Sequence, residues 1–162
     1  LERVQQTIQA PARKTQAIAQ LAITFAQAGD LENALELTPQ VKDTLHKATL
    51  LAYIASGFAE RGNQEKAKGT LDEAIRLANQ ITLSSNQANV CAAIARASAK
   101  MGDSSQALRF LQKALQTVSQ STRETAIEVI GHLIPVMDDL GGTQLLSDVY
   151  TELQRADEIF ND

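Results

Sequence analysis

The feature that most restricts what this chain can fold into is a recurring turn. A glycine followed by Asp, Asn or a second Gly stands at Gly29-Asp30, Gly62-Asn63, Gly102-Asp103 and Gly141-Gly142, at spacings of 33, 40 and 39 residues. The same apolar set returns around each glycine. Eleven residues before it come Ile18, Leu51, Cys91 and Ile130, and eight before come Leu21, Ile54, Ile94 and Leu133. Seven before come Ala22, Ala55, Ala95 and Ile134, five after come Ala34, Ala67, Ala107 and Leu146, and twelve after come Val41, Ala74, Ala114 and Leu153. Offsets of three, four and seven mark helices with one apolar stripe, so each glycine joins two helices back to back. A hairpin of this kind cannot bury both stripes alone and must stack on its neighbours.

The unit is clearest over residues 48–81, with Leu51, Ile54, Ala55 and Phe58 on the first helix and Ala67, Leu71, Ala74 and Ile75 on the second. Alanines at 55, 67 and 74 let the backbones approach closely. The turns have a physical basis: glycine takes the left-handed conformation at no cost, and the Asp or Asn after it can accept from the free amides of the next helix. Asp103 with Gln106, Ser84 with Gln87 and Ser121 with Glu124 have the spacing of a capping box, placing helix starts near 84, 104 and 122.

One repeat domain over 1–162 follows, with about nine helices. Residues 1–10 read as the end of a preceding, truncated repeat, because Val4 and Ile8 stand where the second helix has Leu77 and Ile81. Four helix pairs then span 12–38, 43–81, 84–119 and 122–159. Thr38-Pro39 shortens the first pair, because the residue before proline is pushed out of helical geometry. Pro135 removes the donor that would bond the Gly131 carbonyl, so a kink is expected there.

Composition agrees with this architecture. The chain is 44% hydrophobic but only 4% aromatic, without tryptophan, so its core must be built from Ala, Leu and Ile in close layers. A net charge of -4 with interspersed signs argues against a nucleic-acid footprint. No run approaches the roughly 18 apolar residues of a membrane span, so no membrane insertion is expected. A single cysteine, Cys91, excludes an internal disulfide, and a cytoplasmic location is expected. The chain starts at Leu1 without a methionine and reads as a piece of a longer protein. Val4 and Ile8, uncovered at a cut repeat, would favour a homo-oligomer.

These residues resemble the tetratricopeptide (TPR) family. The likeness rests on a 33-residue minimum period, the pairs Leu21-Ala22, Ile54-Ala55 and Ile94-Ala95, the aromatics Phe25 and Phe58, the Gly-Asp or Gly-Asn turn, and Ala67, Ala74, Ala107 and Ala114 on the second helices. Ser98 departs from it, standing where the third repeat should have its aromatic. The resemblance implies an all-α fold, a right-handed superhelix of antiparallel helix hairpins (a TPR-like α-solenoid), in which the first helix of each pair lines a concave groove.

Helical spacing then puts Gln16, Gln20, Ile23 and Gln27 on that groove, followed by Thr49, Tyr53, Ser56 and Glu60, by Asn89, Arg96 and Lys100, and by Glu128, His132, Asp138 and Asp139. Ala19, Ala52, Ala92 and Gly131 among them leave room for a guest. The partner-binding set is Gln20, Gln27, Tyr53, Ser56, Glu60, Asn89, Arg96, Lys100, His132 and Asp139, with Tyr53 and Arg96 as anchors. The mix suits a segment that presents a carboxylate beside Arg96. The Lys and Asn with which some family members clamp a terminal carboxylate are missing from the first two pairs, so that activity does not carry over.

Nothing in the pattern reads as catalytic. His46 and His132 lack the spacing of two metal ligands on one helix face, His132 with Glu128 reads as a surface pair, and Cys91 falls in an apolar slot. Asp138 and Asp139 point about 100 degrees apart on a helix and form no dyad. No catalytic residue, metal or cofactor is expected. The leading expectation is a non-catalytic protein-protein interaction module that holds a partner peptide or protein segment. The alternative is a regulatory or assembly segment of a larger multidomain enzyme or signalling protein, and a helical enzyme or small-ligand pocket is a third class.

Overall fold

The structure, a computed structural model, describes residues 2–81 and 84–118 together with helical backbone at 131, 134, 136, 137 and 140; side chains are described over 14–81, 87–117 and at those five positions. Within them the chain is all helical. The elements are α1 (Glu2–Gln27), α2 (Leu31–Leu37), a 3-10 turn (Thr38–Gln40), α3 (Thr44–Glu60), α4 (Gln64–Ala78), α5 (Ser84–Lys100) and α6 (Ser104–Val118).

Three turns share one design. Gly29, Gly62 and Gly102 have φ of 79, 75 and 81°, the left-handed region that only glycine enters freely. Each glycine amide bonds back three residues, to Ala26, Ala59 and Ala99, and the next amide bonds back five, to Phe25, Phe58 and Ser98. That pair of bonds is the Schellman arrangement, which satisfies the last carbonyls of the helix. Asp30, Asn63 and Asp103 then accept from the amides of Asn33, Lys66 and Gln106, capping the following helix. The capping box at Asp103 does not close. Its own amide is taken by Ser98, and the Gln106 side chain turns instead to the Ser98 hydroxyl at 3.1 Å.

Two expectations are corrected. No break separates 1–10 from 12–28, because α1 runs unbroken from Glu2 to Gln27. Pro11 removes one amide donor, but Gln9–Lys14 contains no glycine or asparagine that would reverse the chain. The first pair is shortened at Thr38-Pro39 as expected, though by another mechanism. Thr38 keeps helical angles (φ -51, ψ -42), and the chain tightens into a 3-10 turn closed by the Val41 amide on the Thr38 carbonyl. Pro39 has no amide to continue the α pattern, so the shorter-range bonding takes over. Of the nine helices expected, seven fall on the described residues, where six α-helices stand because the first two are one. The final pair at 122–159, with its kink at Pro135, lies outside them apart from the five positions named.

Packing follows the pairs. Each of α1, α3 and α5 lies against its own partner (α2, α4 and α6), while α3 also lies between α1 and α5, and α4 touches α5. One apolar cluster runs through all of them and takes in Val136 and Met137 of the later helical stretch. Helix α3 is enclosed on every side, with Ala48, Leu50, Leu51, Ala52, Ile54, Ala55 and Ala59 all buried. Gly57 belongs to this closeness: a methyl group there would lie 2.5 Å from Leu31 Cδ2, so α2 can approach α3 only over a residue without a side chain. Among the described residues no helix is long and apolar enough to cross a membrane.

Candidate functional site

The site expected on the first helices divides sharply by exposure. Gln20 and Gln27 on α1, Glu60 at the end of α3 and Lys100 at the end of α5 are exposed, and Asn89 and Arg96 on α5 are half-buried. Tyr53 and Ser56 are not open to a guest. They are 7% and 5% exposed, because the middle of α3 is wedged between α1 and α5. The alanines expected to leave room do the opposite: Ala19, Ala52 and Ala92 are all buried. A methyl side chain lets neighbouring helices close up, and the space it frees is taken by the neighbour. His132 and Asp139 lie outside the described residues, as do Glu128 and Asp138.

Half of the residues that remain open, Asn89, Arg96 and Lys100, lie on α5. The Arg96 guanidinium stands 5.9 Å from the centre of the Tyr53 ring, so the two intended anchors form one stacked pair. No carboxylate among the described residues joins it. Two turns earlier, about 10 Å along the helix, the Asn89 Oδ1 atom is buried with no donor. A buried acceptor without a partner is costly, roughly 1 to 3 kcal/mol. A half-buried guanidinium with no carboxylate among the described residues and an orphan acceptor on the same helical stripe suit a ligand that offers an anion and, once the Asn89 side chain turns outward, an N–H.

A second pair was missed by sequence reasoning. Asp43, the N-cap of α3, accepts from the His46 amide at 2.9 Å, and the same oxygen lies 2.6 Å from His46 Nδ1. Burial pushes the Asp43 carboxyl up, but the hydrogen bonds from the His46 amide and ring and the field of the imidazole outweigh it, so the carboxyl titrates below its ordinary value. An ionised Asp43 makes Nδ1 the protonated nitrogen. The pair borders an open cleft of about 350 Å³ with Thr15, Gln16 and Ala19 of α1. The signal was present as an aspartate three residues before a histidine at a helix start. Its geometry is that of a cap, since the oxygen facing the ring is already spent on the helix amide.

The other titratable groups among the described residues show no nucleophile. Cys91 is buried, and that burial pushes its thiol up to about 11, with Lys113 pulling weakly the other way. Buried thiols of this kind are inert at neutral pH. Ser98, in the slot where the first two pairs have Phe25 and Phe58, is fully buried and donates to the Ile94 carbonyl at 2.9 Å while accepting from Gln106. Its hydroxyl is thus committed to the turn. Among the described residues no three His, Cys, Asp or Glu side chains converge on a metal position.

Comparison with known proteins adds the fold alone. No family model matches the chain, and no curated protein matches it. Among solved structures, the crystal structure of Ton1535 from Thermococcus onnurineus NA1 superposes with a TM-score of 0.61 at 20% identity, over 93% of this chain and 49% of that one. The chain therefore spans about half the length of that protein.

Proposed function

We propose that this chain is a non-catalytic protein-protein interaction module, a TPR-like right-handed superhelix that holds a partner peptide or protein segment along the face formed by α1, α3 and α5, in the cytoplasm. Support for the architecture comes from three turns of identical hydrogen bonding and from first helices that lie side by side in succession. The observation that carries the binding reading is on α5. Arg96 has no anionic partner among the described residues, and Asn89 Oδ1 is buried without a donor. A partner segment that sets a carboxylate on Arg96 supplies the missing anion, and a turn of the Asn89 side chain toward the surface lets its oxygen take an N–H of the same segment. Tyr53 contributes from below, as a ring that holds the guanidinium in place.

The test uses the intact protein as bait and identifies what it captures. Arg96→Ala and Asn89→Leu are each expected to weaken capture about tenfold, as the loss of one charge-assisted or buried hydrogen bond implies. Neither change should lower the melting temperature, because Arg96 is half-exposed and Asn89 is already unsatisfied. Undiminished capture by both variants rejects the α5 face.

A further inference from the structure

The second helices make an open surface of different character. Between the end of α4 and the middle of α6 lies a cleft of about 540 Å³. Ile75 and Phe110 supply its apolar floor, Arg109 and Lys113 are its cations, and Asn79 and Gln112 add amides. The Arg109 guanidinium rests 5.4 Å from the centre of the Phe110 ring, which fixes it beside the floor. Among the described residues no carboxylate lines the cleft, and none forms a salt bridge with Arg109 or Lys113. Helix α6 carries no acidic residue at all, whereas the chain as a whole is acidic at -4. Asp103, about one turn and a half before Arg109, feels its charge but spends its oxygen on the Gln106 amide and the Ser105 hydroxyl at the helix start.

We infer that this cleft is a second docking surface, one that takes an acidic peptide segment with an apolar side chain between its carboxylates. The apolar residue seats on Ile75 and Phe110, and the flanking carboxylates meet Arg109 and Lys113. Charge complementarity selects the occupant: a second copy of this acidic chain would bring mixed charge to two cations that form no salt bridge among the described residues, and a basic or nucleic-acid-like partner is mismatched either in sign or in lacking a side chain for the floor. The two amides on the rim match the backbone of an extended segment, which offers donors and acceptors along its length.

Fluorescence anisotropy with three labelled probes decides it. The first is a short peptide of glutamates punctuated by two leucines, the second has lysines for the glutamates, and the third has serines for the leucines. The glutamate-leucine probe is expected to bind about tenfold tighter than either control, and Arg109→Glu with Lys113→Glu should abolish that preference. Both positions are at the surface, so the variant should keep its helicity by circular dichroism, and Arg109→Ala with Lys113→Ala provides a milder check. Lys14→Ala, which removes an exposed cation of α1, serves as the counter-test and should leave binding unchanged. The inference is overturned if no probe binds, if the serine probe binds as well as the leucine one, or if the α6 variants keep full affinity. Loss of binding in Lys14→Ala would also overturn it, by showing that any surface cation serves the probe as well as the cleft does.

Discussion

Helices α3 and α4 form one hairpin and have similar lengths of 17 and 15 residues, yet they live in different surroundings. In α3 ten residues are buried, on all sides of the helix, and only Glu60 is fully exposed. In α4 burial is confined to Ala67, Leu71, Ala74, Leu77 and Ala78, a single stripe, and the rest of the helix carries Glu, Lys, Asp and Arg. A helix apolar all round belongs at the centre of a stack, and one with a single stripe belongs at its edge. The inner layer therefore does the holding together. The outer layer supplies most of the charge of this hairpin.

Truncation should expose that division most strongly. Ile54 is fully buried in α3, and Ile54→Ala is expected to cost about 2 to 5 kcal/mol, because its neighbours are too constrained to fill the void. Ile75 in α4 is half-buried, and the same truncation there should cost roughly 1 kcal/mol, since part of the side chain already faces water. Urea midpoints of the two variants give the comparison directly. Equal losses would mean that α3 is no more central than its partner.

Overpacking tests the outer layer from the other side, with a smaller effect. Ala67 is fully buried where α4 meets the stack, so Ala67→Leu should cost on the order of 1 to 3 kcal/mol. Lys68, the next residue, is exposed, and Lys68→Leu should change stability by less than about 0.5 kcal/mol. A melting temperature unmoved by Ala67→Leu would place the stripe on the wrong face.

The fold was legible wherever local chemistry decides it. Glycine at a left-handed turn and an Asp or Asn one residue later carry their own geometry, so the starts of α2, α4 and α6 could be read within a residue. The end of α2 was also readable from Pro39, although Thr38 kept helical angles because a 3-10 turn offered an easier exit than an extended residue. The continuity of α1 was hidden, because Val4 and Ile8 match the spacing of a second helix whether or not a turn follows them.

The site was less legible for one physical reason. Helical spacing says which residues share a face, and says nothing about how near the next helix comes. Tyr53, Ser56 and Ala52 share the expected face, but small residues allowed α1 and α5 to close over it. Arg96 and Tyr53 could be picked out by residue type, while their stacking and the stranded oxygen of Asn89 depend on distances no pattern reports.

The smallest effect concerns the two caps that start the helices compared above. Helix α3 begins at Asp43, a charged cap, and α4 at Asn63, a neutral one. The folded-state pKa of Asp43 is lowered, so its contribution is fully present above the ordinary carboxylate value near 4 and is lost as pH falls through the lower folded value. Asp43→Ala should therefore cost about 1 kcal/mol at pH 7 and progressively less as the pH drops from about 5 to 2. Asn63→Ala should cost a similar amount at pH 7 and keep that cost throughout, since an amide does not titrate in this range. Urea midpoints of both variants against wild type, taken across the acid range, separate the two. Parallel profiles would show that the Asp43 carboxylate gains nothing from its contact with His46 beyond what a neutral side chain provides.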